Sequence, residues 1–557
     1  MTTEDITVNF VGTTQDIVTA QNIHSATSII DFHSAGNALI VSEDDIALEL
    51  VGKLAPLKVT IVCVNPALNE LSKQLTESGV AVFTTPSVFI EGYLGAFNVV
   101  TTANGQETNL AVSVYAESGA FDLVLDLLKR PVLDVELPPL GYFHAPDESQ
   151  LQQAISSMPE LVGDFEKPKY FQYDPNICAH SRSQLDGCNA CIDACATSAI
   201  QSNGEQVVVD PFLCQGCGSC ATACPSGAMI YAYPKPDNAI DRTRALLKEQ
   251  SQNILLLHTE AEQENIDATA LPANVLPLLV EEVSAFGMDY WVAMVASGVQ
   301  RILLLIDDTA LDSTRSVIES QSHVFHQLLV ALGVNDAVLK TISTDSLDQL
   351  AELTSPVSSL NGLKPSAFAT HNNKRQTIRN GMDVLAAQLP PTNDVLPMRA
   401  PAPFGVIEVD KNKCTLCMAC VSVCPAKALL DGQDTPALRM VEANCLQCGL
   451  CVGACPESAI ELRPQYRFDS IEARKINTLN EEQPFECIRC QKPFATAKII
   501  QSMFAKLDGH WMFKDETARR RLKMCEDCRV IDIFEHDEKG IDVHKNAEKS
   551  VQDNEDA

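Results

Sequence analysis

The chain has 557 residues, room for about four domains at roughly 150 residues each. It carries 41 Lys and Arg against 73 Asp and Glu, a formal charge of −32, with 46% apolar residues and 21 cysteines. These figures exclude a disordered chain, a short disulfide-dense scaffold, and a nucleic-acid binder, which would need a basic field. Residues 1–10 show no positive n-region, apolar core or twin arginine, so a cytoplasmic location is expected. The most apolar long stretch, 283–306, is broken by Asp289, Gln300 and Arg301, and no membrane span is expected.

Residues 1–165 read as an α/β domain. Strand-like runs lie at 38–41, 59–64 and 109–115, and a helical pattern at 121–128. Cys63 falls in an apolar strand and is expected in a core. No GxGxxG or Walker lysine loop occurs anywhere in the chain.

Residues 166–240 form the first cysteine module. Cys214, Cys217, Cys220 and Cys224, followed by Pro225, have the CxxCxxCxxxCP spacing that holds [4Fe–4S] clusters. Such a loop converges three thiolates, and the fourth cysteine reaches the other cluster. Hence Cys214, Cys217, Cys220 and Cys195 make one set. Cys178, Cys188, Cys191 and Cys224 make the second, which departs from the pattern. Leu185 stands where its first ligand is expected, nine residues separate Cys178 from Cys188, and Ala196 follows Cys195. A bulged loop returning Cys178 is the expected solution. The alternatives are a three-iron cluster or ligation by His180.

Residues 241–390 alternate strand and helix as a parallel α/β domain does. Strands are expected at 254–259, 301–306 and 337–342, and helices at 280–299 and 314–332. His258 and Trp291 read as structural residues. Residues 391–404 are a proline-rich, semi-rigid spacer.

Residues 405–466 repeat the cysteine run twice. Cys414, Cys417, Cys420 and Cys455 form one crossed set, and Cys445, Cys448, Cys451 and Cys424 the other. In 480–534, Cys487-x2-Cys490 and Cys525-x2-Cys528 are separated by 34 residues. Two such knuckles suit tetrahedral zinc, with a single iron, a fifth cluster or free thiols as alternatives. A helix is expected at 494–507. Arg519–Arg521 reads as a solvated face, with docking of an acidic partner as the alternative. The acidic tail 535–557 has a disordered composition. The fold class is therefore α/β and α+β multidomain. Two α/β domains alternate with two ferredoxin-like modules, and a four-cysteine, zinc-ribbon-like knuckle follows.

The two eight-cysteine modules resemble bacterial two-cluster ferredoxin domains. Over the segments 165–182, 207–228 and the terminal FECIRCQKPFATAKII and MCEDCRV, the chain resembles an uncharacterised family of multi-cluster bacterial ferredoxins. That family is often associated with formate dehydrogenase genes, so the resemblance implies a partner in formate oxidation or its maturation. Residues 273–306 are similar to the delta-subunit domain of hydrogenase and heterodisulfide reductase assemblies. They lack that domain's cysteines, so a shared fold is implied and not a shared cofactor.

These readings point to a carrier relaying single electrons through four [4Fe–4S] clusters, with a structural zinc. No independent catalytic site is visible. The competing functions are an accessory protein for metalloenzyme maturation and an electron-transfer subunit of a larger oxidoreductase. Five four-thiolate sites would add roughly −10 to the formal charge, so redox partners are expected to present basic surfaces.

Overall fold

A computed structural model describes residues 28–44, 46–65, 80–103, 106–114, 119–249, 253–307, 310–355, 357–370, 372–433, 435–507 and 510–537. The expected tail lies outside these residues beyond 537. The chain packs as two compact units, one of residues up to 184 with 188–396, the other of 185–187 with residues from 397. Among the described residues no helix is long and apolar enough to cross a membrane.

The first unit opens with a parallel sheet. Its strands are β1 (Asn37–Ser42), β2 (Lys58–Cys63), β3 (Ala81–Thr84), β4 (Leu123–Asp126) and β5 (Tyr142–His144), in the order β3-β2-β1-β4-β5. Side chains alternate across a strand. Ala38 and Ile40 enter the core on one face, and Leu39 and Val41 the core on the other. Burial on both faces explains the unbroken apolar runs. Cys63 is buried at the end of β2.

Two expectations fail in this domain. Residues 121–128 hold strand β4, all four residues buried, and not a helix. A short apolar run carries no decisive period, and burial on both faces of the sheet decided it. At 109–115, strand Gln106–Asn109 gives way to helix Leu110–Val114. Asn109 Oδ1 accepts the Val112 N–H at 3.3 Å, a cap that overrides the β propensity of the valines.

The second α/β domain of this unit has parallel strands β6 (Ile254–His258), β7 (Val275–Leu279), β8 (Arg301–Leu305) and β9 (Leu339–Ile342), in the order β7-β6-β8-β9. Helices α1 (Met288–Ala296), α2 (Asp312–Ala331) and α3 (Lys374–Gln388) cover it. The helix expected at 280–299 is shorter. A 3₁₀ turn at Val283–Ala285 precedes α1, and extended Gly287 separates them. Trp291 is fully buried and packs on Phe325 at 5.8 Å.

The two domains flank the first cysteine module. Phe212 of its ligand loop stacks on Tyr93 at 4.4 Å and meets Phe32 edge-on at 5.6 Å. On the other side the Thr222 hydroxyl donates to the Ser284 carbonyl at 2.6 Å, and the Ser284 hydroxyl donates to the Cys217 carbonyl. The expected spacer 391–404 is tied down at both ends. Thr392 N–H donates to Ala331 and Met398 N–H to Pro464.

In the second unit, strand Gly405–Val409 pairs antiparallel with Ile460–Arg467. Strand Ala437–Val441 pairs with Leu429–Asp431 and Ile476–Glu481. The stretch 494–507 begins as strand Pro493–Thr496. Helix Ala497–Leu507 follows, and the Thr496 hydroxyl accepts the Ile499 N–H at 3.2 Å. Helix Glu526–Asp537 takes in the start of the expected tail, and Glu535 pairs with Arg489 at 2.7 Å.

Candidate metal centres

Tight CxxCxxC loops need unusual backbone. Residues just before and just after the second cysteine are left-handed in three loops: Gly216 and Gly218, Leu416 and Met418, Gln447 and Gly449. These turns bring three thiols to one side. Each loop is followed by a one-turn helix, such as Ser219–Ala223, that carries the third cysteine.

In the second module two separate cavities form. One is lined by Cys414, Cys417, Cys420 and Cys455, the other by Cys424, Cys445, Cys448 and Cys451. Apart from cysteine their walls are largely apolar, with Leu438 and Ile460 in the first and Ile407 and Met440 in the second. Burial pushes the Cys420 thiol up to about 12, reinforced by Cys417, Cys414 and Cys455. Burial also raises Cys451, with Cys445, Cys448 and Cys424 adding to it. Crowded thiols of this kind ionise only when cations join them. Backbone donors wait at the sulfurs. Ala428 N–H reaches Cys424 Sγ and Ala459 N–H reaches Cys455 Sγ, both at 3.3 Å. The chemistry of the two donor sets fits an iron–sulfur cluster in each cavity.

The first module groups its cysteines in the same crossed way. Burial pushes the Cys191 thiol up to about 12, followed by the influence of Cys224, Cys188 and Cys178. Burial pushes Cys217 up to about 11, with Cys195 and Cys214 adding to it while the Ser219 N–H opposes. Cys220 is raised well above the usual thiol range by burial, Cys217, Cys214 and Cys195.

The chain from Cys178 to Cys188 turns at Ser183 and Gln184, with φ of 52° and 63°. It is closed by Cys188 N–H donating to the Ala179 carbonyl at 2.8 Å. That closure keeps Cys178 beside its set despite the nine-residue gap. His180 is held at both ring nitrogens, Nδ1 on the Cys188 carbonyl at 3.2 Å and Nε2 on the Ser202 hydroxyl at 2.7 Å.

Cys487, Cys490, Cys525 and Cys528 form a different kind of site. Their four sulfurs lie within 4.8 Å of one another, the one group this tight among the described residues. Metal–sulfur bonds of about 2.3 Å in a tetrahedron give sulfur–sulfur edges of about 3.8 Å. Cys490 and Cys525 are 3.7 Å apart. A single ion fits, whereas a cubane would have to spread its thiolates around a larger body. Arg519 and Arg520 are exposed, as a solvated face requires, while Arg521 is half-buried. Arg521 pairs with buried Asp532 at 2.8 Å, and Arg519 Nε donates to the Phe513 carbonyl at 2.9 Å.

A cavity of about 330 Å³ opens at the carboxyl ends of β6, β7 and β8. Its lining includes Glu260, Glu262, Glu281, Glu282 and Asp307, carboxylates that would repel a phosphate. His258 is not in this lining. It is fully buried, with Nδ1 on the Thr259 carbonyl.

Spacing alone gave no sign of Lys167, Lys374 or Gln447. Lys167 Nζ donates to the Cys214 carbonyl at 2.8 Å, Lys374 Nζ to the Thr222 carbonyl at 2.6 Å, and Gln447 Nε2 to Cys445 Sγ at 3.2 Å.

Comparison with known proteins recognises both cysteine modules. A family model described as a 4Fe-4S dicluster domain matches residues 412–460, and a second of the same description matches 186–228. The second match begins beyond Cys178, where the spacing departs from the usual run. Over 59 residues the chain is 37% identical to an uncharacterized ferredoxin of Methanocaldococcus jannaschii. That match covers 11% of this chain and 32% of the relative, so the chain spans about a third of the relative's length. Iron–sulfur ferredoxin-type domains are thereby established at two places.

Proposed function

From two 4Fe-4S dicluster domains in a single chain, we propose a cytoplasmic electron-transfer protein that holds four [4Fe–4S] clusters and one structural zinc. Cys178, Cys188, Cys191 and Cys224 hold the first cluster, and Cys195, Cys214, Cys217 and Cys220 the second. Cys414, Cys417, Cys420 and Cys455 hold the third, and Cys424, Cys445, Cys448 and Cys451 the fourth. Cys487, Cys490, Cys525 and Cys528 hold the zinc. The observation that carries this reading is the pair of separate cavities in the second module, each lined by one crossed set of four thiols.

A bound [4Fe–4S] cluster supplies a one-electron couple. The protein's own residues do the rest. Apolar walls exclude water, and the backbone N–H groups of Ala428 and Ala459 stabilise negative charge on sulfur. Crossed ligation ties the two sites of a module into one rigid body. The physiological partner is a redox protein of a formate dehydrogenase system with a basic docking surface. The resemblance of the terminal segments supports that partner, and the formal charge of −32 supports the docking chemistry.

The test is anaerobic purification with iron, sulfide and zinc analysis, then an EPR-monitored redox titration. About sixteen irons with reversible one-electron reduction are expected. Clusters that transfer intact to an apo-enzyme and never reduce reversibly would overturn the relay in favour of a delivery role.

A further inference from the structure

Two lysines reach the backbone of the first module, one from the strand that joins it to the N-terminal α/β domain and one from the α/β domain that follows. Lys167, opposite Ile30 in the pairing of Gly163–Pro168 with Ile29–Ser34, comes from the N-terminal side. Its ammonium donates to the Phe212 and Cys214 carbonyls at 2.7 and 2.8 Å and lies 4.8 Å from the Phe32 ring centre. Lys374, the first residue of α3, comes from the other side. Its ammonium donates to the Ala221 and Thr222 carbonyls at 2.8 and 2.6 Å, at the end of the turn that carries Cys220. The next residue, Arg375, reaches the Pro225 carbonyl at 3.3 Å, just past Cys224.

Nearby acids offset part of this charge, Glu282 beside Cys217 among them. Asp210 precedes Cys214 and accepts the Phe212 N–H, but Asp410 precedes Cys414 and accepts the Asn412 N–H in the same way. That carboxylate is common to both modules. Asp289 lies near Lys374 and offsets part of its charge. At the second module the cations are paired off: Lys498 donates to the Lys411 carbonyl at 2.7 Å but is bound to Glu482, and Lys506 is bound to Glu457 at 2.6 Å. Neutral groups make the remaining contacts. The Gln447 amide donates to Cys445 Sγ and the Val406 carbonyl, and the Thr496 hydroxyl donates to the Thr415 carbonyl. Half-buried lysine charge bound to ligand-loop carbonyls, with no carboxylate among the described residues in direct contact, therefore gathers on one module.

Reduction of a cluster adds one negative charge, and a fixed cation in a low-dielectric site favours the more negative state. We propose that Lys167 and Lys374 are tuning residues that raise the reduction potential of the first module above that of the second. Electrons entering the chain settle at Cys178–Cys224, and the two α/β domains serve as electrostatic jackets for that module. This inference rests on the relay reading above.

The experiment is an EPR-monitored potentiometric titration of the full, cluster-loaded chain. It compares wild type with Lys167→Met, Lys167→Gln, Lys167→Arg and Lys374→Met, with iron content measured for each. Lys167→Gln keeps a donor for the carbonyls without the charge, and serves if the methionine variant loses iron. The charge-removing variants are expected to move some midpoints downward and leave others unshifted, and Lys167→Arg to restore them. Unchanged midpoints in iron-replete Lys167→Gln and Lys374→Met overturn the proposal while leaving the relay intact. Wild-type protein that shows no reversible midpoint overturns the relay itself.

Discussion

Cys490 Sγ lies 3.7 Å from Cys525 Sγ, although 35 positions separate them in the chain. Nothing apolar explains so close a meeting, since Cys490 is exposed and the local core is only Cys487, Met524, Cys525 and Cys528 with Phe494 beside them. A core that small does not hold a domain, and the proposed ion would be its staple. Structural zinc is worth roughly 10–16 kcal/mol of apparent binding energy in small domains. Cys525→Ser is therefore expected to lose zinc and unfold the region 484–537 while the iron content stays near wild type. Zinc analysis and limited proteolysis together check this, and a zinc-free variant that resists proteolysis like wild type refutes it.

The same site carries a pH dependence of definite sign. Burial opposes ionisation of Cys487, but N–H groups, including that of Arg489, outweigh it and bring the thiol down to about 6. Burial, then contact with Cys490, Cys525 and Cys487, pushes Cys528 up to about 12. The metal-free site thus holds protons at neutral pH that metal must displace. Zinc uptake releases protons, and acidification reverses it. Zinc retention, followed by a colorimetric chelator, is expected to fall as pH drops below about 6. Retention that is flat from pH 8 to pH 4 would contradict a thiolate site.

Gly218 and Gly449 occupy matching places in two ligand loops, with φ of 79° and 85°. An L side chain at either pays about 1–2 kcal/mol for the left-handed backbone. Their surroundings differ. A Cβ on Gly218 would meet Ala285 Cβ at 2.6 Å and Ala285 Cα at 2.7 Å, whereas no protein atom lies within 4 Å of one on Gly449. Backbone cannot swing aside as a flexible side chain does, so Gly218→Ala is expected to cost roughly 1–3 kcal/mol more than Gly449→Ala. Anaerobic thermal melts compare the two, and equal losses would mean that the loop does not seat against Ala285.

Asp126 sits fully buried at the end of β4 and organises the loop after it. Its carboxylate accepts the Leu128 N–H at 3.0 Å, the Val132 N–H at 2.7 Å and the Tyr142 hydroxyl at 2.5 Å. Burial, then the Asp126 hydrogen bond, raises the Tyr142 phenol well above its ordinary value, so it remains a donor at any working pH. Tyr142→Phe removes one of the three donors at a cost of about 1–3 kcal/mol. Asp126→Ala strands all three and is expected to cost more. Denaturant unfolding measures both, and an alanine variant no worse than the phenylalanine one refutes the ranking.

The cysteine runs were legible because their chemistry is local: three ligands within seven residues leave a spacing that survives any fold. Strands β1, β2, β6 and β8 were legible for a related reason, since burial on both faces writes an unbroken apolar run. Lys167 and Lys374 left no such trace. The carbonyls they bind lie 45–47 and 152–153 positions away, and only domain docking brings them together. The misread segments at 109–115 and 121–128 failed where a side-chain cap and a sheet position outweighed local propensity.

Glu282, in the lining of the acidic cavity, supplies a second pH dependence, with its sign set by the direction of the shift. Burial, then the neighbouring carboxylates Glu281 and Glu262, pushes it up to about 7 from an ordinary 4.5. An acid with a raised folded pKa resists ionisation in the native state. Its penalty is absent below the unfolded value, grows as pH rises from about 4.5 to about 7, and is complete above that. Negative clusters bound nearby would push in the same direction. Glu282→Gln removes the ionisable group and is expected to stabilise the protein at pH 8 by on the order of 2–3 kcal/mol relative to pH 5. Paired anaerobic melts at the two pH values isolate this term, because every other titrating group is common to both proteins. A wild-type-to-variant difference that is the same at pH 5 and pH 8 would show that Glu282 is ionised freely and that the cavity is open to water.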